Sequence, residues 1–454
     1  MRILLRIAAA MLLAPLALAA ASPQEAARLG SDLTPLGGEQ AANADGSIPA
    51  WSGGIMSATA AGFPGYKPGD HHPDPYAGDP PLFAISAADL PRYAARLTAG
   101  HRALLAAYPD YRMLVYPSHR SAAVPERIAQ NTRRGAATTY LFVDGNGVTG
   151  ALGAIPFPLP KSGLEVMWNH LLRFRGVAVA RQVGQAAVTT GGTYSLVNVK
   201  EQFYFPYYLA GMSVAGLQNV YQYLRHEAST ATHPVGAAVL LLQELLDQSV
   251  ESRRAWIYTP AQRRVRRDLQ SGFDNAAADS DELRTDDQSD MYSGSPQRYD
   301  WNLLGRQELY VPYNSYRLQN EKIRYWDLLR AHHINQEYAR YELHRVWVVD
   351  ATLKPGERHL YARRTFYVDE DSWQILAVDC YDAQGKLFRV QEGHVINYYE
   401  VPTLWTDLEL VMDLNSGRYL AVGLQNEESR SYDFNIKRTA DDFQPSVLER
   451  LGVR

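Results

Sequence analysis

The sequence predicts an α+β fold in which an antiparallel meander dominates, helices are few and amphipathic, and a Gly/Pro-rich arm precedes the folded body. Three observations carry this. Late in the chain, runs rich in Val, Ile, Tyr and Trp recur at regular spacing with tight-turn residues between them. No helix-length segment separates these successive runs, which argues against a parallel sheet. The 454 residues are 46% hydrophobic, enough for a large core, and the sole cysteine, Cys380, leaves no disulfide to replace one.

The first residues follow the plan of an export signal. Arg2 and Arg6 precede an apolar run from Ile7 to Leu18, and the small residues Ala19, Ala20 and Ala21 follow. The run is short for a spanning helix, which needs roughly 20 apolar residues. Residues 1–21 are therefore expected to be a signal peptide, 22–85 an extended arm, and 86–454 a single curved-sheet domain with helical insertions. The arm has too much Gly, Pro, Ala and Asp for regular structure, yet Trp51, Phe63 and Tyr66 suit packing over a body.

Four helices are expected. Ser86 and Asp89 open the first, and Leu90, Tyr93, Ala94 and Leu97 keep its helical spacing. Thr98 caps a second, which Pro109 stops. Ser162 and Glu165 form a capping box before the stripe Leu164, Met167, Trp168, Leu171 and Leu172. The fourth is read from Pro234 to Asp247, with Pro at its first position and leucines on more than one face.

Strands are expected at Trp256–Tyr258 and Arg264–Arg266, then at Leu343–Leu353, His359–Val368, Trp373–Tyr381, Leu387–Gln391, Leu408–Asp413 and Arg418–Leu424. Turns such as Lys354-Pro355-Gly356-Glu357 and Ala383-Gln384-Gly385-Lys386 join them. A curved sheet of this kind leaves an apolar trough wherever helices do not fill it. Tyrosine outnumbers phenylalanine 29 to 12, which suits half-wet surfaces such as a cavity rim as well as a packed strand face. The candidate ligand-binding residues are Trp168, Leu171, Leu172, Leu241, Leu245, Tyr299, Trp301, Tyr310 and Tyr313, with the late strands bending into the trough.

Several chemistries lack their motifs. Gly211-Met212-Ser213-Val214-Ala215 misses the second glycine of a hydrolase elbow. His-Glu-x-x-His is absent; His71-His72 and His332-His333 are adjacent pairs, and His344, His359 and His394 lie in predicted strands that could bring them together, though scattered histidines are more often ordinary hydrogen-bonding residues. Asp279, Asp281, Glu282, Asp286, Asp287 and Asp290 resemble a calcium loop in charge alone, because Leu283 and Arg284 stand where ligand and glycine belong; a solvated loop is the expectation, with weak calcium binding as the alternative. Gly-rich phosphate loops are missing, so no cofactor is expected. A formal charge of −4, more negative still without Arg2 and Arg6, argues against nucleic acid. The arginines 253, 254, 263, 264, 266 and 267 suit a solvated sheet face, or an anionic head group or acidic partner.

Several motifs together resemble a known family. They are Leu33-Thr34-Pro35-Leu36-Gly37, Asp45-Gly46-Ser47-Ile48-Pro49-Ala50-Trp51, Val115-Tyr116-Pro117-Ser118-His119-Arg120, Pro156-Phe157-Pro158-Leu159-Pro160, Trp168-Asn169-His170-Leu171, Tyr299-Asp300-Trp301 and Tyr310-Val311-Pro312-Tyr313-Asn314. In that order they resemble family 1329 of the bacterial domains of unknown function, across nearly the whole chain after residue 21. The resemblance implies an outer-membrane lipoprotein-sorting-like protein, similar to periplasmic lipoprotein carriers, with a strongly curved antiparallel sheet or half-barrel wrapped over helices around an apolar cavity. It implies no catalytic residues. Its implied partners are a hydrophobic or lipid-like ligand and an inner-membrane resistance-nodulation-division pump or an outer-membrane component. The expected function is a periplasmic carrier or receptor for a hydrophobic molecule; the alternative is an accessory docking subunit without a small ligand.

Overall fold

The computed structural model describes residues 21–230, 233–268 and 272–451; the expected signal peptide lies almost wholly outside them. Fifteen strands form one open sheet, and a two-stranded hairpin, Tyr140–Leu141 with Val148–Thr149, stands apart. The strands are β1 (Phe83–Ile85) and β2 (Met113–Val115); an early meander of β3 (Ala178–Val188), β4 (Tyr194–Tyr204), β5 (Val220–Thr230), β6 (His233–Leu245), β7 (Arg253–Thr259) and β8 (Arg264–Arg267); and a late meander of β9 (Tyr299–Pro312), β10 (Tyr341–Leu353), β11 (Arg363–Asp369), β12 (Ile375–Tyr381), β13 (Leu387–Tyr398), β14 (Thr403–Asp413) and β15 (Tyr419–Leu424).

The last strand of the late meander pairs antiparallel with the first strand of the early one, Tyr419 opposite Val188 and Ala421 opposite Ala186. This edge-to-edge splice makes one sheet of two sequential meanders. The sheet does not close; among the described residues it ends at β8 on one side, and on the other it branches at β10 into β9 and the short pair β2–β1. Bulges at Leu303/Gly305, Tyr367/Val368, His394/Val395, Val422/Leu424 and Val220/Gln222 interrupt the ladders. Each extra residue bends its strand and increases its twist, so the sheet is curved.

Two of the predicted helices form as read. Thr98 Oγ1 accepts the His101 N–H at 3.0 Å and starts α1 (Ala99–Ala107). Asp379 of β12 takes the Ala99 and Gly100 N–H groups at 3.0 and 2.8 Å, pinning the positive end of α1 to the sheet. Another helix, α2 (Glu126–Gly135), lies beyond those expected. Ser162 caps α3 (Gly163–Leu171), and Asn169 of that helix brackets the extended Pro-rich segment by bonding both the N–H and the carbonyl of Phe157. The helix expected from Ser86 forms only as single turns, Ala87–Asp89, Leu90–Tyr93 and Ala94–Arg96.

The fourth predicted helix is corrected: His233–Leu245 is strand β6, paired on both edges. A short leucine run looks alike in a buried helix and in a strand with apolar neighbours on both faces. Here Leu241 and Leu245 pack with Phe443 and Leu448 near the C-terminus, while Leu240 and Leu242 face the other way.

The late meander is solid. On one face Met167, Trp168 and Leu171 of α3 pack with Val349, Phe366, Trp373 and Val378. On the other, Leu104 and Leu105 of α1 pack with Val390, Leu410 and Met412. All of β14 is buried, so the trough expected over the late strands is filled by the protein's own side chains. Residues 27–82 run through turns and isolated bridges; Trp51 donates to the Ala122 carbonyl at 3.0 Å, and Tyr66 meets the Tyr399 ring edge-on at 5.2 Å.

Candidate ligand groove

The open space lies over the early meander. A groove of about 830 Å³ has Leu224 and Ala228 of β5, Leu240 and Leu242 of β6 and Ile257 of β7 as its apolar floor, with a roof from Asn275 to Ser289. That volume is in the range of small-molecule sites. Alternation makes the floor: β6 turns Leu241 toward the C-terminal segment, and so turns Leu240 and Leu242 into the groove.

The roof is held by the acidic run that resembled a calcium loop. Asp287 binds Arg364 at 2.8 Å and His359 at 3.1 Å. Asp290 binds Arg173 at 2.6 Å and Arg175 at 2.5 Å. Burial opposes the charge on both carboxyls, but the facing cations prevail and hold both well below the usual range. Leu283 adds an apolar anchor among Ala187, Val411, Leu420 and Val422. The run is thus divided: Asp279, Asp281 and Glu282 are exposed, whereas Asp287 and Asp290 are bound to arginines; among the described residues no group of three His, Cys, Asp or Glu is placed to hold a metal ion. Asp279 and Asp286 face the groove, and burial pushes the Asp286 carboxyl up to about 6.

The groove's polar walls are mostly paired internally. Arg253 binds Glu244 at 2.9 Å. Glu201 is held between Arg181 at 2.5 Å and His226 at 2.9 Å; burial would raise its carboxyl, but Arg181 outweighs burial and holds it at about 2. At the inner end a cavity of about 40 Å³, room for a water or so, is bounded by Leu171, Arg173, Arg175, Phe203, Tyr221 and Trp405.

None of the nine residues proposed from sequence lines the groove itself, and Leu171 alone borders the inner cavity. Trp168 is buried with its indole N–H on the Gly145 carbonyl at 3.0 Å, and Leu172 lies beside it in the same core. Leu241 and Leu245 face the opposite side of β6. Tyr299 donates to the Tyr361 carbonyl at 2.7 Å, and half-buried Trp301 donates to the Pro296 carbonyl at 2.8 Å. Tyr310 meets Phe83 and Tyr93, and Tyr313 stacks on His344 at 3.7 Å while donating to Asp369. Sequence reasoning missed Leu224, Leu240, Leu242, Ile257 and Arg284. The available signal was strand parity in Val239–Leu242, visible only after β6 is read as a strand.

The three strand histidines do not converge. His344 binds Glu342 at 3.0 Å, His359 binds Asp287, and His394 lies 3.4 Å from Glu392. Ser213 Oγ accepts the Gly216 N–H at 3.0 Å, as the cap of the short helix Val214–Leu217.

Fold and groove together define an open, curved antiparallel-sheet protein with a roofed trough over one half of the sheet. The chain belongs to the family described as protein of unknown function (DUF1329), whose model matches residues 84–449; five of the seven motifs fall inside that match and the two in residues 33–51 precede it. It is similar to "Uncharacterized protein PA3922" of Pseudomonas aeruginosa, 48% identical over 444 residues, which are 98% of this chain and 96% of that protein. Among solved structures it is similar to a DUF1329 family protein from Desulfovibrio piger, with a TM-score of 0.39 and 14% identity over 60% of this chain and 92% of that one. It is also similar to a putative outer membrane lipoprotein-sorting protein domain from Vibrio parahaemolyticus, with a TM-score of 0.42 and 14% identity over 63% of this chain and 98% of that one.

Proposed function

We propose that this protein is a periplasmic carrier or receptor for a hydrophobic, lipid-like molecule held in the groove. The carrying observation is the groove's apolar floor: Leu240, Leu242 and Ile257 are half-buried and border open space, with Leu224 and Ala228 buried at its base, on a sheet whose other half is packed by α3 and α1. Leaving such a surface open forgoes about 25 cal/mol for each Å² that packing would bury, which a ligand recovers. The basic, apolar and small-residue order of residues 1–21 supports export. Delivery to a membrane pump or an outer-membrane acceptor fits a roof that is separate from the sheet.

The test is organic extraction and native mass spectrometry of the purified protein, with uptake of the uncharged fluorophore N-phenyl-1-naphthylamine. A lipid-like adduct and saturable uptake are expected, and Ile257→Trp, which fills the groove from a half-buried floor position, should abolish uptake without lowering the melting temperature. A protein that is empty in every preparation and takes up no probe overturns the proposal.

A second reading, a docking subunit, rests on one end of the molecule. Val143, Val250 and Val214 are 100%, 99% and 71% exposed. The loops bearing Val143 and Val250 are tied together by the Gln248 N–H on the Asn146 carbonyl at 2.7 Å, and Val214 helps line an adjoining cavity of about 400 Å³ with Phe142 and Leu246. Apolar side chains gathered on a surface in this way suit a protein partner. Cross-linking that captures the same partner from protein with and without Ile257→Trp would favour this reading.

A further inference from the structure

Seven arginines line the groove and its inner cavity, and five of them already have a carboxylate. Arg253 has Glu244, Arg267 has Glu251, Arg181 has Glu201, and Arg173 and Arg175 share Asp290. Arg284 differs. It lines the groove from the roof, where its carbonyl accepts the Ala277 N–H at 2.9 Å. Among the described residues it forms no ion pair: its Nε is buried without a partner, and its Nη2 reaches only the Gln185 amide oxygen, at 3.5 Å. A guanidinium does not shed its proton to escape burial, so an unmatched buried N–H on it is costly unless an anion arrives.

Across the groove, Arg266 of β8 stands directly opposite the floor residue Ile257 in the ladder, shares its face, and forms no ion pair among the described residues. Two guanidinium groups therefore flank the outer part of an apolar trough that deepens toward Leu242, Phe203 and Tyr221. The planar fork of each matches a carboxylate or phosphate. Asp279 and Asp286 face the same space and oppose a head of high charge, which favours a single acidic group.

Resting on the carrier reading, we propose that the groove takes an amphiphile with one acidic head group, a carboxylate or phosphate monoanion. Arg284 and Arg266 meet the head, and the chain lies along Leu240, Leu242, Leu224 and Ile257 toward the inner cavity.

The experiment uses full-length, delipidated protein loaded with N-phenyl-1-naphthylamine and titrated with hexadecanoic acid, hexadecan-1-ol and inorganic phosphate. The acid should displace the probe at about tenfold lower concentration than the alcohol, the difference one charge-assisted head-group contact supplies. Phosphate alone should not displace it. Arg284→Gln should bring acid and alcohol to similar potency with the alcohol unchanged, and Arg266→Gln, on the exposed rim, should reduce the preference by a smaller factor.

If the probe and alcohol bind but the acid has no advantage, or Arg284→Gln and Arg266→Gln both leave its advantage intact, the head-group proposal falls and the carrier reading stands. Displacement by phosphate alone overturns the amphiphile in favour of a free-anion site. If neither probe, alcohol nor acid binds, both proposals fall.

Discussion

A leucine's worth in this protein depends on which side of its strand it occupies. Leu241 is buried against the C-terminal segment, whereas its neighbours Leu240 and Leu242 are half-buried in the groove. Substitutions should separate the two classes. Trp168→Ala removes the largest side chain of the α3 core together with its hydrogen bond to Gly145, and should cost about 3–5 kcal/mol in chemical denaturation. Leu240→Ala, which leaves no closed cavity, should cost less than about 1.5 kcal/mol while weakening uptake of an apolar probe. Equal destabilisation by the two variants would show that the groove is part of the packed core.

The roof is the element on which access to the groove depends. Its attachments to the body come from distant parts of the chain: Leu283 in its apolar socket, Asp287 on Arg364 and His359, Asp290 between Arg173 and Arg175, and the Glu282 carbonyl on Arg389. Asp290→Asn leaves two buried guanidinium groups without their carboxylate, a change that typically costs about 3–5 kcal/mol. The loss should concentrate in the roof. Hydrogen exchange at residues 275–291 should accelerate in the variant more than exchange in β13 and β14, and probe uptake should become faster. Uniform acceleration throughout the sheet would mean that the roof does not open separately.

The sequence foreshadowed these elements unevenly. The Ser162 capping box located α3, and the Gly- and Asp-containing turns located the late hairpins, because caps and turns are local chemistry. The single turns of 87–96 and the strand at 233–245 were misread. In the first, the cap is present but the body is broken; in the second, apolar neighbours on both faces erased the alternation that marks a strand. The acidic run was read as solvated because nothing local reveals that Asp287 and Asp290 meet arginines far away in sequence.

For the whole molecule, buried carboxylates set the response to pH. Burial raises Asp286 to about 6 and Asp407, Glu409 and Glu370 to about 7. These groups hold protons in the fold that the unfolded chain has released above about pH 4, so their stabilising share is complete below that pH and is lost as pH rises through 6 to 7. Glu201 and Glu342 have the opposite sign: despite burial, Arg181 for Glu201 and His344 with Arg340 for Glu342 hold them at about 2, so their share is present above about pH 4 and lost on further acidification. The melting temperature should therefore be higher at pH 5 than at pH 8. Glu409→Gln, which keeps an acceptor for the Met291 N–H, should shallow that decline. A melting temperature that climbs from pH 5 to pH 8 would contradict this assignment.

The sequence by itself determined the class of the fold, the caps and turns of the late half, and the family, since each is written in residues close together along the chain. Tertiary structure decided which half of the sheet stays open, which leucines face the opening, and which of the groove's arginines go without a carboxylate. Those outcomes depend on the splice of β15 to β3 and on ion pairs spanning more than seventy residues, and local patterns hold no record of which distant side chains fill a face or neutralise a charge.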